Sequence, residues 1–141
     1  MRIKLLVLVA ALAPAASFAA GGGAHLDRAN VDIGNRAALQ RGAANFVNYC
    51  LGCHSAQYVR YNRMAADIGI TEQQLIDNLM FTGERPHDTM RIGIKPEDAN
   101  RWFGVVPPDL TLIARSRGAD YLYTFLRSFY ADPSKASGVN N

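Results

Sequence analysis

The chain alternates between stretches with a helical period and stretches with none. From Asn35 to Tyr49, the residues Ala38, Leu39, Phe46 and Val47 fall near one helical face, with Gly42 and Ala43 small enough to let another element approach. A second helix is predicted to start at Thr71, which forms a Thr-x-x-Gln capping box with Gln74. Leu75, Ile76, Leu79 and Met80 supply its apolar stripe and Gly83 its stop. Pro96 in a first turn, Glu97 and Asp98 beside it, and Gly104 just past Trp102 and Phe103 predict a short third helix. Asp109 can cap a turn through Leu110, Leu112 and Ile113 that ends at Gly118. Asp120 can cap a last helix bearing Tyr121, Leu122, Phe125, Leu126 and Phe129, ended by Pro133. No stretch alternates convincingly with period two; Thr89 to Ile94 comes nearest, and Tyr58–Ile70 and Glu84–Lys95 read as long irregular connections. The expected class is all-α, with short helices and long loops. A chain built that way has a thin core unless a large prosthetic group fills it.

The first twenty residues follow a different pattern. Arg2 and Lys4 precede an apolar run from Leu5 to Ala16, and Ser17-Phe18-Ala19-Ala20 follows, the three parts of an export signal with cleavage after Ala19. The run is too short, and too interrupted by Pro14, for the roughly 20 residues that cross a bilayer. Residues 1–19 are therefore expected to be a signal peptide, 20–34 an extended leader that packs little, and 35–141 one domain in the periplasm. Of 141 residues, 15 are Lys or Arg and 12 are Asp or Glu; without Arg2 and Lys4 the cations number thirteen and the balance is +1. That is no footprint for nucleic acid. Two cysteines exclude a disulfide-rich scaffold.

Both cysteines lie in Cys50-Leu51-Gly52-Cys53-His54, a C-x-x-C-H run, which is the attachment signature of c-type haem. Two thiols one helical turn apart can add to the two vinyl groups, and the adjacent imidazole can reach the iron. Other readings of the pair are a zinc site completed by His25, His54 or His87, a structural disulfide, and a thiol–disulfide oxidoreductase. None has the expected spacing or explains His54. For a sixth iron ligand the chain offers Met64, Met80, Met90, His25 and His87. Met80 reads as core packing, Met64 as too close to His54, and His87 and His25 as a loop and a leader residue. Met90, in a flexible-looking loop, is the best internal candidate.

Around that run stand Asn48-Tyr49 and Ser55, then Tyr61-Asn62-Arg63, Trp102-Phe103-Gly104, Pro107-Pro108-Asp109-Leu110, and Ala114-Arg115-Ser116-Arg117-Gly118-Ala119-Asp120-Tyr121-Leu122. Taken together, from about Asp32 to Asn141, these resemble the cytochrome c1 family, the haem subunits of the ubiquinol:cytochrome c oxidoreductase, or cytochrome bc1 complex. The resemblance implies a c-type cytochrome fold around one covalent haem c. Cys50 and Cys53 would form the thioethers and His54 the proximal iron bond, with Pro107 and Pro108 walling the haem on the His54 side. Arg117 and Tyr121 would contact the propionates, a sensible use of a guanidinium fork and a phenol, although Arg115 and Arg117 also read as solvated and Tyr121 as a core aromatic.

The implied function is electron transfer from the Rieske iron–sulfur protein to soluble cytochrome c, beside cytochrome b, on the periplasmic side of a bacterial inner membrane, with no bond chemistry by the chain itself. A free-standing periplasmic monohaem cytochrome is the alternative, and the two downstream motif blocks argue against it. Members of the family continue into a segment with the axial Met and then a C-terminal membrane helix. The chain is accordingly expected to be C-terminally incomplete, with its sixth ligand and its membrane anchor outside it.

Overall fold

The computed structural model describes residues 25–141, so the predicted signal peptide and residues 20–24 of the leader lie outside the described residues. Asn35 caps the first helix, α1 (Arg36–Asn45), by accepting a hydrogen bond from the Ala38 amide at 3.0 Å. The helix does not run on regularly to Tyr49. It widens into a π-helical turn, Phe46–Cys50, in which the Leu51 amide reaches five residues back to the Phe46 carbonyl. Asn48 explains the change locally, because its side-chain amide occupies the Ala44 carbonyl that an α-helical Asn48 N–H would use. The turn buries Val47 and Leu51 and leaves Cys50 half-buried.

The segment Tyr58–Ile70, expected to be irregular, contains a strand and a helix. Strand β1 (Ala56–Arg60) pairs antiparallel with the two-residue β2 (Thr89–Met90), Ala56 opposite Met90 and Arg60 opposite Thr89 across an irregularity. Helix α2 (Tyr61–Ile68) follows at once and has no capping side chain. Its first amides are met from the Glu84–Lys95 connection, Tyr61 donating to the Asp88 carbonyl and Asn62 to the Pro86 carbonyl. No short-range sequence signal could show a cap delivered from residues 86 and 88. Helix α3 (Glu72–Leu79) starts as predicted, with both bonds of the Thr71/Gln74 capping box formed, but it ends at Leu79, and of the predicted stripe it buries Leu75 and Leu79 and leaves Ile76 exposed. Met80, just past it, packs against the core.

One apolar cluster joins these elements: Val47, Leu51, Ala56, Tyr61, Ala65, Ile68, Leu75, Leu79 and Met90. Gly83, expected to stop α3, lies four residues beyond its end and serves the cluster by close approach instead. A Cβ there would lie 2.7 Å from Cε2 of the fully buried Tyr61, whose hydroxyl pairs with Thr82 Oγ1 at 2.8 Å.

Beyond Lys95 the packing changes. Helix α4 (Pro96–Phe103) has the predicted Pro, acidic first turn and left-handed Gly104, yet only Ala99 is buried. Helices α5 (Ile113–Arg117) and α6 (Ala119–Arg127) bury nothing fully. Helix α6 stops at Arg127, six residues before Pro133, because the backbone turns into a small ladder of β3 (Tyr130–Ala131) with β4 (Val139–Asn140). Asp120 lies within the first turn of α6 and does not cap it. Its carboxylate accepts the Ala29 amide at 2.8 Å, and one turn on, Thr124 Oγ1 accepts the Asp27 amide at 2.8 Å. Residues 25–34 are largely exposed, but they are strapped along the polar side of α6. Amides two apart in an extended chain match side chains one helical turn apart. Helices and loops dominate, as the class required, with two short ladders added.

Candidate functional site

The site is built where the π-helical turn meets the segment before α5. The Cys53 and His54 amides both donate to the Cys50 carbonyl, at 3.0 and 2.8 Å, so the chain makes a full turn between the two cysteines. Both are free thiols, Cys50 half-buried and Cys53 exposed. Burial pushes the Cys50 thiol above its ordinary value. A redox-active C-x-x-C pair gains from the opposite shift. Among the described residues no cluster of three or more His, Cys, Asp or Glu side chains could hold a metal ion, and the zinc reading has no ligand set there.

His54 is half-buried, and its Nδ1 lies 2.8 Å from the Pro108 carbonyl oxygen. A carbonyl only accepts, so Nδ1 is the donor; in the neutral ring this leaves the lone pair on Nε2, the tautomer a metal-binding imidazole requires. The partner is presented by a short parallel track of bonds. The Leu110 amide donates to the Ser55 carbonyl at 2.8 Å, the Gln57 amide to Asp109 Oδ2 at 2.8 Å, and the Tyr58 amide to Thr111 Oγ1 at 3.3 Å. Ser55 Oγ also accepts the Ile92 amide, tying in the chain beside β2. Partial burial works to raise the Asp109 carboxyl, but bonds from Thr111 and Gln57 and the nearby Arg91 charge outweigh it and hold it below the ordinary range. Asp109, read from sequence only as a turn cap, is the member of this track that pattern reasoning missed.

The remaining predicted residues fall into two groups. Pro107 is half-buried and Pro108 exposed, both beside His54 through the Pro108 carbonyl. Arg117, in the last turn of α5, stands with its guanidinium 5.5 Å from the ring centre of Tyr121 in α6. Gly118, with φ of 89°, makes the bend that brings them together. None of the ion pairs among the described residues uses Arg117. Tyr121 also stacks on Phe125 at 5.9 Å, and Phe125 meets Phe129 edge-on at 5.1 Å.

The sixth-ligand candidates separate clearly. Met90 is not in a flexible loop; it is 1% exposed, paired in β2 and packed in the core. Met64 is half-buried against the same core, while His87 and His25 are exposed and the His87 carbonyl accepts a bond from Arg60.

A prosthetic group is also what the packing calls for. Trp102, Phe103, Val106, Leu112, Leu126 and Phe129 are each between 45% and 71% exposed. Exposed apolar side chains also occur earlier, Tyr49 and Tyr58 beside the C-x-x-C-H turn among them, but after Lys95 they coincide with a stretch in which only Ala99 is fully buried, as expected where a large apolar group would complete the packing. The thiols, the His54 Nδ1 bond and the thin packing after Lys95 fit a covalently attached haem.

Residues 30–141 match the Cytochrome C1 family. The chain belongs to the cytochrome c1 family. It is 52% identical over its whole length to a cytochrome c1 of Allochromatium vinosum, covering 58% of that protein. It is 48% identical over 139 residues to a protein of Nitrosomonas europaea named ammonia monooxygenase gamma subunit, covering 59% of it. A mitochondrial cytochrome c1 haem protein of Neurospora crassa is 27% identical over 120 residues. The chain thus spans less than two thirds of the length of these cytochrome c1 relatives. Among the described residues no helix is long and apolar enough to cross a membrane.

Proposed function

We propose that this cytochrome c1 chain is the haem-bearing part of an electron-transfer subunit of a respiratory cytochrome bc1 complex. It takes electrons from the Rieske iron–sulfur protein and passes them to soluble cytochrome c, with cytochrome b as its neighbour in the complex. Cys50 and Cys53 hold the group by thioether bonds, one haem c per chain because both thiols are used. When bound, haem supplies reversible one-electron exchange between ferrous and ferric iron. The chain does the rest. His54 would hold the iron through Nε2, and the Pro108 carbonyl, bound to Nδ1, would fix its tautomer and raise its basicity. Pro107 and Pro108 wall that side. Arg117 and Tyr121, which stand together, would serve the propionates as a cation and a phenolic donor for two carboxylates. The exposed apolar side chains of α4 to α6 would exclude water from the ring. Residues 1–19 direct export, which places the domain on the periplasmic side of the inner membrane.

The observation that carries this reading is the 2.8 Å bond from His54 Nδ1 to the Pro108 oxygen, directly after a turn bearing two free thiols. The test is a pyridine haemochrome spectrum of protein matured in a host that attaches c-type haem, beside a Cys50→Ala variant. The expected result is a c-type α band at one haem per chain that shifts or disappears in the variant. No haem band in either protein would overturn the reading.

A further inference from the structure

We infer that Asp109 is a positioning residue for the iron ligand: its carboxylate, bridging the Gln57 and Thr111 amides, sets the peptide carbonyl of Pro108 against His54 Nδ1. This rests on the haem reading above. Pro107 and Pro108 have no amide N–H, so the two residues leading into that carbonyl cannot be held by donated backbone bonds. The neighbours must hold it. Downstream, the Leu110 amide is bound to the Ser55 carbonyl at 2.8 Å. Between the two stands Asp109, half-buried, with Oδ2 accepting the Gln57 amide at 2.8 Å and Oδ1 accepting the Thr111 amide at 2.9 Å. Gln57 lies in β1, three residues after His54, so one carboxylate joins the strand that follows the ligand to the segment that orients it. Both bonds end on an ionised acceptor and are stronger than neutral ones. Arg91 adds its charge nearby.

The consequence is electronic as well as geometric. A firm Nδ1–H bond makes the imidazole a better donor and favours ferric iron. Releasing the Pro108 carbonyl weakens that donation and raises the potential. Mere loosening of the pocket admits water, which stabilises the more highly charged ferric site and lowers it. The sign of the shift separates positioning from packing.

The experiment compares haem-loaded wild type with Asp109→Ala and the gentler Asp109→Asn, measuring midpoint potential and, by nitrogen-edited NMR, exchange of the His54 Nδ1 proton. The expected result is a more positive potential in Asp109→Ala with at least tenfold faster Nδ1–H exchange, and a smaller change of the same sign in Asp109→Asn, which keeps one acceptor. In wild type the His54 Nδ1 proton and the Gln57 and Thr111 amides should exchange together, a test that needs no variant. An unchanged or lowered potential in a haem-loaded variant would overturn the inference, as would independent exchange in wild type. Either leaves the haem reading intact, since that is decided by the covalent α band of the wild type.

Discussion

Replacing Gly83 by alanine tests whether the core around Tyr61 is as tightly closed as the structure shows. Gly83 does not occupy the left-handed region, so alanine brings no backbone strain there, and the whole effect comes from contact. The new Cβ would stand 2.7 Å from Tyr61 Cε2 and 3.2 Å from Cδ2, against roughly 3.5–4.0 Å for ordinary carbon contacts. The ring edge must therefore retreat by about 0.8 Å or more. It has little room, because Tyr61 is fully buried and its hydroxyl is tethered to Thr82. Overpacking of this kind costs about 1–3 kcal/mol, offset by about 0.4–1 kcal/mol because alanine restricts the unfolded chain. The net loss should be about 1–2 kcal/mol, or a fall in Tm of roughly 5–10 °C for a domain of this size. Urea unfolding followed by circular dichroism measures it, and the decisive step is the same substitution in a Tyr61→Leu background. There the ring atoms are gone and Gly83→Ala should be close to neutral. An equal loss in both backgrounds, or none in the wild type, would refute the close-approach argument.

Other consequences are open to measurement. Thr71→Ala removes one half of the capping box and should cost about 1 kcal/mol, read as a shift of the urea midpoint without a change of slope. The carboxyls of Asp88, held down mainly by the Arg85 amide, and of Asp132, held down mainly by the Ser134 hydroxyl, lie below their ordinary value in the fold. Their stabilisation is therefore complete above the unfolded value of about 4 and is lost as pH falls through the lower folded values. Tm recorded from pH 6 down to 2 should show that loss, reduced in Asp132→Asn, and a flat profile would contradict it. Replacing Asp120 by Ala together with Thr124→Val should free the strap, speeding amide exchange at Asp27 and Ala29 while the core amides of residues 47–90 keep their protection. Met90→Leu in a haem-loaded protein of these 141 residues should cost less than about 1.5 kcal/mol and leave the ferric spectrum unchanged. A spectral change would show Met90 leaving the core for the iron.

The C-x-x-C-H run, the Thr71/Gln74 capping box, the Pro96 start and Gly104 end of α4 and the class of the fold were all legible in the chain, because each depends on residues within a turn or two of one another. The same holds for the haem expectation and for the family resemblance, which rest on short motifs in order. What the sequence could not show depends on partners distant along the chain. Helix α2 was hidden because its first amides are capped by carbonyls of residues 86 and 88, and Met90 looked mobile because only pairing with Ala56 buries it. The leader looked unattached because its partners lie more than 90 residues away. Asp109 is the sharpest case. Its spacing announces only a local turn, and its work of aligning Pro108 with His54 exists only once β1 lies beside it. Local chemistry chose the ligand types, and tertiary contact alone decided how one of them is oriented, since a hydrogen bond across 54 residues has no short-range signature.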